Sequence, residues 1–263
     1  MELLPVPFVY TIIFCFGAIW GSFANVVIYR LPLEKSVVSP ASCCPKCKIK
    51  IKWYQNIPIF SWFLLRGKCA ECKTKISWRY PLVEFLMAIG FVTLYWWHGF
   101  NAYFFEHIIF YFGLVTISFI DLDHMIIPDS FSLGGIVIGL VGALLNDGRS
   151  FMGALAGVLM GGGFLWAVAY FYYLWRKTEG MGGGDIKLIA WIGAVLGWKA
   201  IPFVILSSSI IGSVFGLVIS LRSKDGMSTV IPFGPYLALG AVLYIFGGEN
   251  FIQWYFGFFL PGL

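Results

Sequence analysis

Two short acidic stretches carry the residue types most able to do chemistry. One is Glu179-Gly180-Met181-Gly182-Gly183-Gly184-Asp185-Ile186-Lys187, where an acid stands behind a run of glycines at the edge of an apolar segment. The other is Asp121-Leu122-Asp123-His124-Met125-Ile126-Ile127-Pro128-Asp129, at the end of another apolar segment. A carboxylate at membrane depth is costly unless it is paired, solvated or in use. Glycines let a second backbone come close, so a substrate chain could approach Asp185 where bulkier residues would block it. Asp185 could instead cap a helix, since Asp is a preferred N-cap and glycines are ordinary loop formers.

Two carboxylates within about 3 Å of each other cannot both ionise freely. The one kept protonated polarises a carbonyl, and the ionised one takes a proton from an attacking water. Such a pair hydrolyses a peptide bond without a metal, and it titrates as one unit. Periodicity leaves open whether Asp121, Asp123 or Asp129 partners Asp185. Asp129, between Pro128 and Ser130, could start the next helix, and Asp123 could be a solvated loop acid. His124 reads as a solvated juxtamembrane residue, and His98 and His107 flank a short external loop.

The chain around these acids is built for lipid. Hydrophobic residues make up 59% and charged residues 12%, with a mean hydropathy of +0.84; a soluble domain carries roughly 25% charged residues. Apolar runs at 8–29, 82–97, 103–120, 131–145, 152–175, 186–196, 201–221 and 233–246 predict about eight transmembrane helices. A further aromatic stretch, 251–259, is too short to span and is expected in the interface. Trp96, Trp97, Tyr172, Tyr173 and Trp175 read as interfacial anchors near span ends. No basic residue precedes the first run and no small-residue cleavage pattern follows, so it is expected to be a retained span. Gly17, Gly21, Ser22 and Ala24 on it favour close helix packing, and Asn25 needs a hydrogen-bond partner.

Between the first two runs lies a polar insert. Eleven of the eighteen Lys and Arg fall within 30–79. This basic excess is assigned to topology and an acidic membrane surface rather than to nucleic acid. The insert is too small to rely on an apolar core alone. It carries Cys44-Pro45-Lys46-Cys47 and Cys69-Ala70-Glu71-Cys72, the spacing of a zinc-ribbon-like site with Cys44, Cys47, Cys69 and Cys72 as ligands. Two disulfides are the alternative and would need an oxidising compartment. A closed four-thiolate shell supplies folding energy and has no position for substrate. Cys43 is out of register, and Cys15 lies in the first span.

The reading is therefore an all-α integral membrane protein in three parts. They are a first transmembrane helix (1–29), a four-cysteine zinc domain (30–81) and a membrane domain of about seven helices (82–263). With eight spans, one set of inter-span segments carries only Arg149 and Lys199. The other carries the cysteine domain, both acidic stretches, Arg176-Lys177, Arg222 and Lys224. The positive-inside rule makes the second side cytoplasmic and puts the N-terminus outside. Both acids then lie on the cytoplasmic face near the membrane boundary.

Gly180 to Leu188, read as GMGGGDIKL, resembles the GxGD signature of the type IV prepilin peptidases. Gly21 to Pro32 (GSFANVVIYRLP) is similar to the family's N-terminal signature. The two CxxC pairs, Asn56-Ile57-Pro58, Ser61-Trp62, Leu65-Arg66-Gly67 and Ile76 to Pro81 are similar to its cytoplasmic domain. Ile120-Asp121-Leu122-Asp123-His124 with Ile127-Pro128-Asp129 resembles its first aspartate motif, and Pro232 to Pro235 its last span. The resemblance implies an inner-membrane aspartic peptidase with Asp121 and Asp185 as the catalytic pair. It implies prepilins and pseudopilins as substrates, cut after a glycine on the cytoplasmic side. With the cysteine domain intact, it also implies N-methylation of the new N-terminal residue using S-adenosylmethionine. No Rossmann-type glycine loop marks a site for that cofactor; Glu34 or Lys35 beside the first signature could take part. A proton- or cation-coupled transporter is the rival class, and it would place acids mid-span within a repeat. A zinc-bearing membrane anchor without catalysis is a second rival, and a peptidase without methyl transfer a third.

Overall fold

The computed structural model describes residues 5–146, 148–178, 180–222 and 231–259. Glu179 of the glycine stretch and Lys224 of the charge pattern lie outside them. The regular elements among the described residues are helices, with no strand among them. The helices are α1 (Val6–Arg30), α2 (Phe60–Leu64), α3 (Arg79–His98), α4 (Ala102–His124) and α5 (Asp129–Leu145). They continue as α6 (Phe151–Arg176), α7 (Gly183–Leu196), α8 (Ala200–Arg222), α9 (Gly234–Leu243) and α10 (Glu249–Phe259).

Helices fall on all eight expected apolar runs. Five are long and apolar enough to cross a bilayer: α1, α3, α4, α6 and α8. The other three have 17 (α5), 14 (α7) and 10 (α9) residues. At 1.5 Å per residue α7 is about 21 Å long, short of a 30 Å hydrocarbon core. The 251–259 stretch lies in α10, which follows α9 through a π-turn at Tyr244–Gly248 that contains a non-helical Gly247.

The chain forms two compact units, Met1–Thr116 and Ile117–Leu263. In the first, α1 packs on α3 through the glycines of its signature. A Cβ on Gly17 would lie 2.8 Å from the Met87 carbonyl oxygen, and one on Gly21 would lie 2.5 Å from Glu84 Cα. Asn25, buried on α1, donates from Nδ2 to the Tyr80 carbonyl at 3.1 Å, which answers its need for a partner.

In the second unit α7 is the centre. Every residue from Leu188 to Val195 is buried, as expected of a helix surrounded by others rather than by lipid. On one side α6 crosses it so closely that a Cβ on Gly193 would lie 2.2 Å from the Gly157 carbonyl oxygen. On another, Trp191 fills the space over Gly135 of α5. At its C-terminal end the Arg149 guanidinium donates to the Ala194 carbonyl, satisfying one of the open carbonyls of a helix C-terminus. The helix that carries Asp185 is thus enclosed from Leu188 to Val195.

Candidate active site

Asp121 lies in the last turn of α4. Its own carbonyl accepts the Met125 N–H at 2.9 Å, and Met125 takes a left-handed φ of 54°, which ends the helix. The residue is 5% exposed. Its Oδ2 accepts the backbone N–H of Gly234 at 3.0 Å, from 113 residues further along the chain. Gly234 opens α9, so the donor is one of the unpaired N–H groups of a helix start, where an anion is favoured.

Asp185 lies in the first turn of α7. Gly182 is the N-cap, with no side-chain cap hydrogen bond, so Asp185 does not cap the helix. Its backbone N–H bonds the Gly182 carbonyl at 3.2 Å. The carboxylate is held at the positive end of the most deeply packed helix.

One side chain brings the two acids together. Ile127, in the link between α4 and α5, contacts the glycines on both sides. A Cβ on Gly184, next to Asp185, would lie 2.9 Å from Ile127 Cβ. A Cβ on Gly234, which holds Asp121, would lie 3.2 Å from Ile127 Cδ1. The glycines beside Asp121 and Asp185 therefore meet the same apolar residue, at the C-terminal end of α4 and the N-terminal end of α7. A Cβ on Gly234 would also come 2.7 Å from Asp121 Oδ2. Gly234→Ala should displace that carboxylate and lower the cleavage rate by about five- to 150-fold, the equivalent of one to three kcal/mol of overpacking. Steady-state kinetics on the purified variant measures it.

The other candidates separate clearly. Asp129 is the first residue of α5 and pairs with Lys187 Nζ at 2.6 Å; both side chains are well exposed. Such a surface pair contributes about 0–1 kcal/mol. Asp123 and His124 are exposed. Of the three acids left open beside Asp185, only Asp121 is buried. Beyond the glycine run, Trp166, Ala169, Tyr170, Tyr173, Gly180 and Met181 line an open cavity of about 270 Å³.

The glycines divide into two kinds. Gly180 and Gly184 are required by packing, since a Cβ at either would strike Tyr172 (2.4 Å) or Ile127 (2.9 Å). Gly183 faces open space, and a Cβ on Gly182 would meet only Asp185 Oδ2, at 3.6 Å. These two keep the approach to the carboxylate clear.

The four cysteines form a separate cluster in the first unit. The Sγ atoms of Cys44, Cys47, Cys69 and Cys72 all lie within 4.8 Å of one another, and none is in a disulfide. Cys44 and Cys72 Sγ are 3.7 Å apart. Tetrahedral zinc with Zn–S bonds of about 2.3 Å requires neighbouring sulfurs at about 3.8 Å, so the donor set fits a metal ion of that kind. Each pair sits on the same knuckle. Cys44 N donates to the Ile49 carbonyl and Cys69 N to the Thr74 carbonyl, while Lys48 and Lys73 take left-handed φ of 60° and 56°. Isolated bridges Cys43–Lys50 and Lys68–Lys75 close the two turns. The sequence signal for this duplication is Cys-x-x-Cys-Lys-x-Lys, which occurs twice. Thr74, through its hydroxyl and its backbone N–H, draws the Cys72 thiol down to about 6, so the thiolate needed for metal binding forms readily there.

Comparison with known proteins agrees with this geometry. Residues 15–98 match the family model described as the bacterial peptidase A24 N-terminal domain, and residues 108–217 match the type IV leader peptidase family. The chain is 37% identical to a prepilin leader peptidase/N-methyltransferase of Aeromonas salmonicida, over 95% of this chain and 94% of that protein. It is 37% identical to the protein of that name from Aeromonas hydrophila (97% and 96% covered) and 35% identical to that of Legionella pneumophila (96% and 96%). No solved structure matches it significantly. A multi-pass helical chain with an acid on each of two neighbouring helix ends and a four-cysteine knuckle pair, it belongs to the type IV leader peptidase family.

Proposed function

We propose that this chain is a bacterial inner-membrane aspartic endopeptidase that removes the leader of type IV prepilins and pseudopilins, with Asp121 and Asp185 as the catalytic pair. The observation that carries the reading is the gathering of these two acids around Ile127, one of them buried and held by the Gly234 N–H. The ionised carboxylate takes a proton from water as its oxygen attacks the scissile carbonyl carbon. The protonated partner hydrogen-bonds the carbonyl oxygen as negative charge develops there. Collapse of the tetrahedral intermediate breaks the C–N bond, and a proton from the pair goes to the leaving nitrogen. The clear approach past Gly182 and Gly183 admits the extended backbone this attack requires.

The N-terminus lies on the periplasmic side and the acids face the cytoplasm, by the distribution of Lys and Arg. A prepilin's short basic leader stays on that side while its apolar helix enters the bilayer, which sets the scissile bond at the depth of the acids. The four cysteines hold zinc, which supplies folding energy to the 30–81 domain. Methyl transfer to the new N-terminal residue from S-adenosylmethionine follows from the second activity in the relatives' names. No residue is assigned to that cofactor: a Rossmann-type loop opens from a strand, and the described residues contain none.

Incubation of purified, detergent-solubilised protein with a prepilin and labelled S-adenosylmethionine tests both steps. The expected result is a shortened pilin carrying label at its new N-terminus. A shortened, unlabelled pilin would remove the methyltransferase half, and an uncut prepilin would remove the whole assignment.

A further inference from the structure

The buried acid Glu84 fastens a strained turn of the polar segment to α3. Glu84 is 8% exposed and its Oε2 accepts the Ile59 N–H at 2.6 Å. Ile59 has φ 64° and ψ −57°, and Phe60 N bonds the Pro58 carbonyl at 2.6 Å. This is a γ-turn of the rare positive-φ kind, unfavourable for a β-branched residue. A residue held there is over-determined by its surroundings, and here the buried carboxylate supplies the fixing.

That turn is the N-cap of α2, so Glu84 sets where α2 lies along α3. Glu84 is five residues past the start of α3 at Arg79, about 7.5 Å along the axis. It is already inside the apolar run that begins at Leu82. The start of α2 is therefore held level with the beginning of the hydrocarbon-spanning part of α3, not out in the aqueous part of the 30–79 segment.

The side chains of α2 fit that depth. Trp62 turns inward, against Gly67, and donates from Nε1 to the Ile76 carbonyl. Phe60, Phe63 and Leu64 point outward, 59%, 64% and 65% exposed. Their spacing of three and four residues gives one apolar face. Just past the helix stand exposed Arg66 and Lys68, in a segment holding eleven Lys and Arg against two acids, Glu34 and Glu71. An apolar helical face rimmed by cations is the composition of a surface that enters the boundary between headgroups and acyl chains of an anionic leaflet.

We propose that α2 is a membrane-seated wedge: Phe60, Phe63 and Leu64 enter the acyl boundary of the adjacent leaflet, while Arg66 and Lys68 bind anionic headgroups. The occupant of this face is lipid, with phosphatidylglycerol preferred over phosphatidylcholine, and neither a prepilin nor a second copy of the chain.

The test places the photo-crosslinking residue p-benzoylphenylalanine at position 63, and separately at 64, in the full-length protein. Each form is reconstituted in vesicles of phosphatidylcholine mixed with phosphatidylglycerol, with and without a prepilin, and the adducts are read by mass spectrometry. Both positions are exposed, so the probe displaces no packed side chain. The expected result is lipid adducts at both positions, with phosphatidylglycerol enriched several-fold over its share of the bilayer. Arg66→Glu with Lys68→Glu should abolish that enrichment while the adducts persist. Adducts with the prepilin or a second copy in place of lipid would overturn the proposal, as would no lipid adduct at either position. So would lipid adducts that follow bulk composition in the unsubstituted Arg66/Lys68 background. The outcome does not depend on cleavage activity, so it stands or falls separately from the catalytic reading.

Discussion

Asp121→Asn and Asp185→Asn should each lower prepilin cleavage by about 10³–10⁴ while leaving the protein inserted and folded. Proton transfer by a positioned side chain contributes typically 10²–10⁴, and in a shared-proton pair each member is needed for the other's role. Asparagine keeps the shape of the acid and can still accept from the Gly234 N–H that Asp121 Oδ2 now accepts. It can neither take a proton from water nor return one to the leaving nitrogen. The substitution therefore isolates chemistry from packing. Cleavage assays run beside thermal unfolding in detergent separate the two: activity should collapse while the unfolding midpoint moves little.

The second large effect is expected at the cysteines. Replacing Cys44 and Cys72 together by serine should remove bound zinc from near one equivalent to none and unfold the polar segment. Structural zinc contributes an apparent 10–16 kcal/mol in small zinc-dependent domains, far more than two short knuckles and a five-residue helix supply. The 30–79 segment holds eleven Lys and Arg. Trypsin should accordingly cut the double variant there within minutes while sparing the parent protein, with metal content followed by elemental analysis. Full protease resistance without metal would show that the cluster is not a structural metal site. Lys48 and Lys73, with left-handed backbone on the two knuckles, are the positions where loss of the metal should first expose new cleavage.

Much of this architecture was legible because a bilayer imposes a coarse pattern. Runs of apolar residues had to become helices, since backbone polar groups in hydrocarbon must be satisfied within the segment. The two acids stood out for the same reason, being costly at the edge of such runs. Asp129 and Asp123 could not be separated from Asp121 by pattern alone. What separates them is burial, and that depends on Gly234 arriving from the far end of the second unit to hold Asp121. Nothing local to Asp121 encodes a partner 113 residues away. Ile127, which joins the two acids, reads in sequence as one more apolar residue before a proline. In sequence, Glu84 is a single acid in an otherwise apolar run and looks like a helix-surface charge. Its meaning appears only when the Ile59 turn is seen to close on it. The glycine run looks like one feature in the sequence, whereas packing requires Gly180 and Gly184, leaves Gly183 facing open space and sets Gly182 beside the Asp185 carboxylate.

Helix lengths depart from the pattern for a related reason. The helix α7 has 14 residues and is buried on all sides from Leu188 to Val195. A helix enclosed by protein need not match the bilayer thickness, because its neighbours rather than lipid satisfy its ends, as Arg149 does for the Ala194 carbonyl. That enclosure gives Asp185 a rigid base, which general acid–base geometry demands.

The claim on which the mechanism rests is that Asp121 and Asp185 act as one unit. Cleavage of a prepilin by the purified protein should be compared with that of Asp121→Asn, Asp185→Asn and the doubly substituted form, each shown to be folded by its thermal unfolding. Residues that work as a unit lose their contribution together, so the double variant should be no slower than either single one. Substantial cleavage by one single variant, or a double variant slower than both singles by the product of their separate losses, would contradict a shared-proton pair.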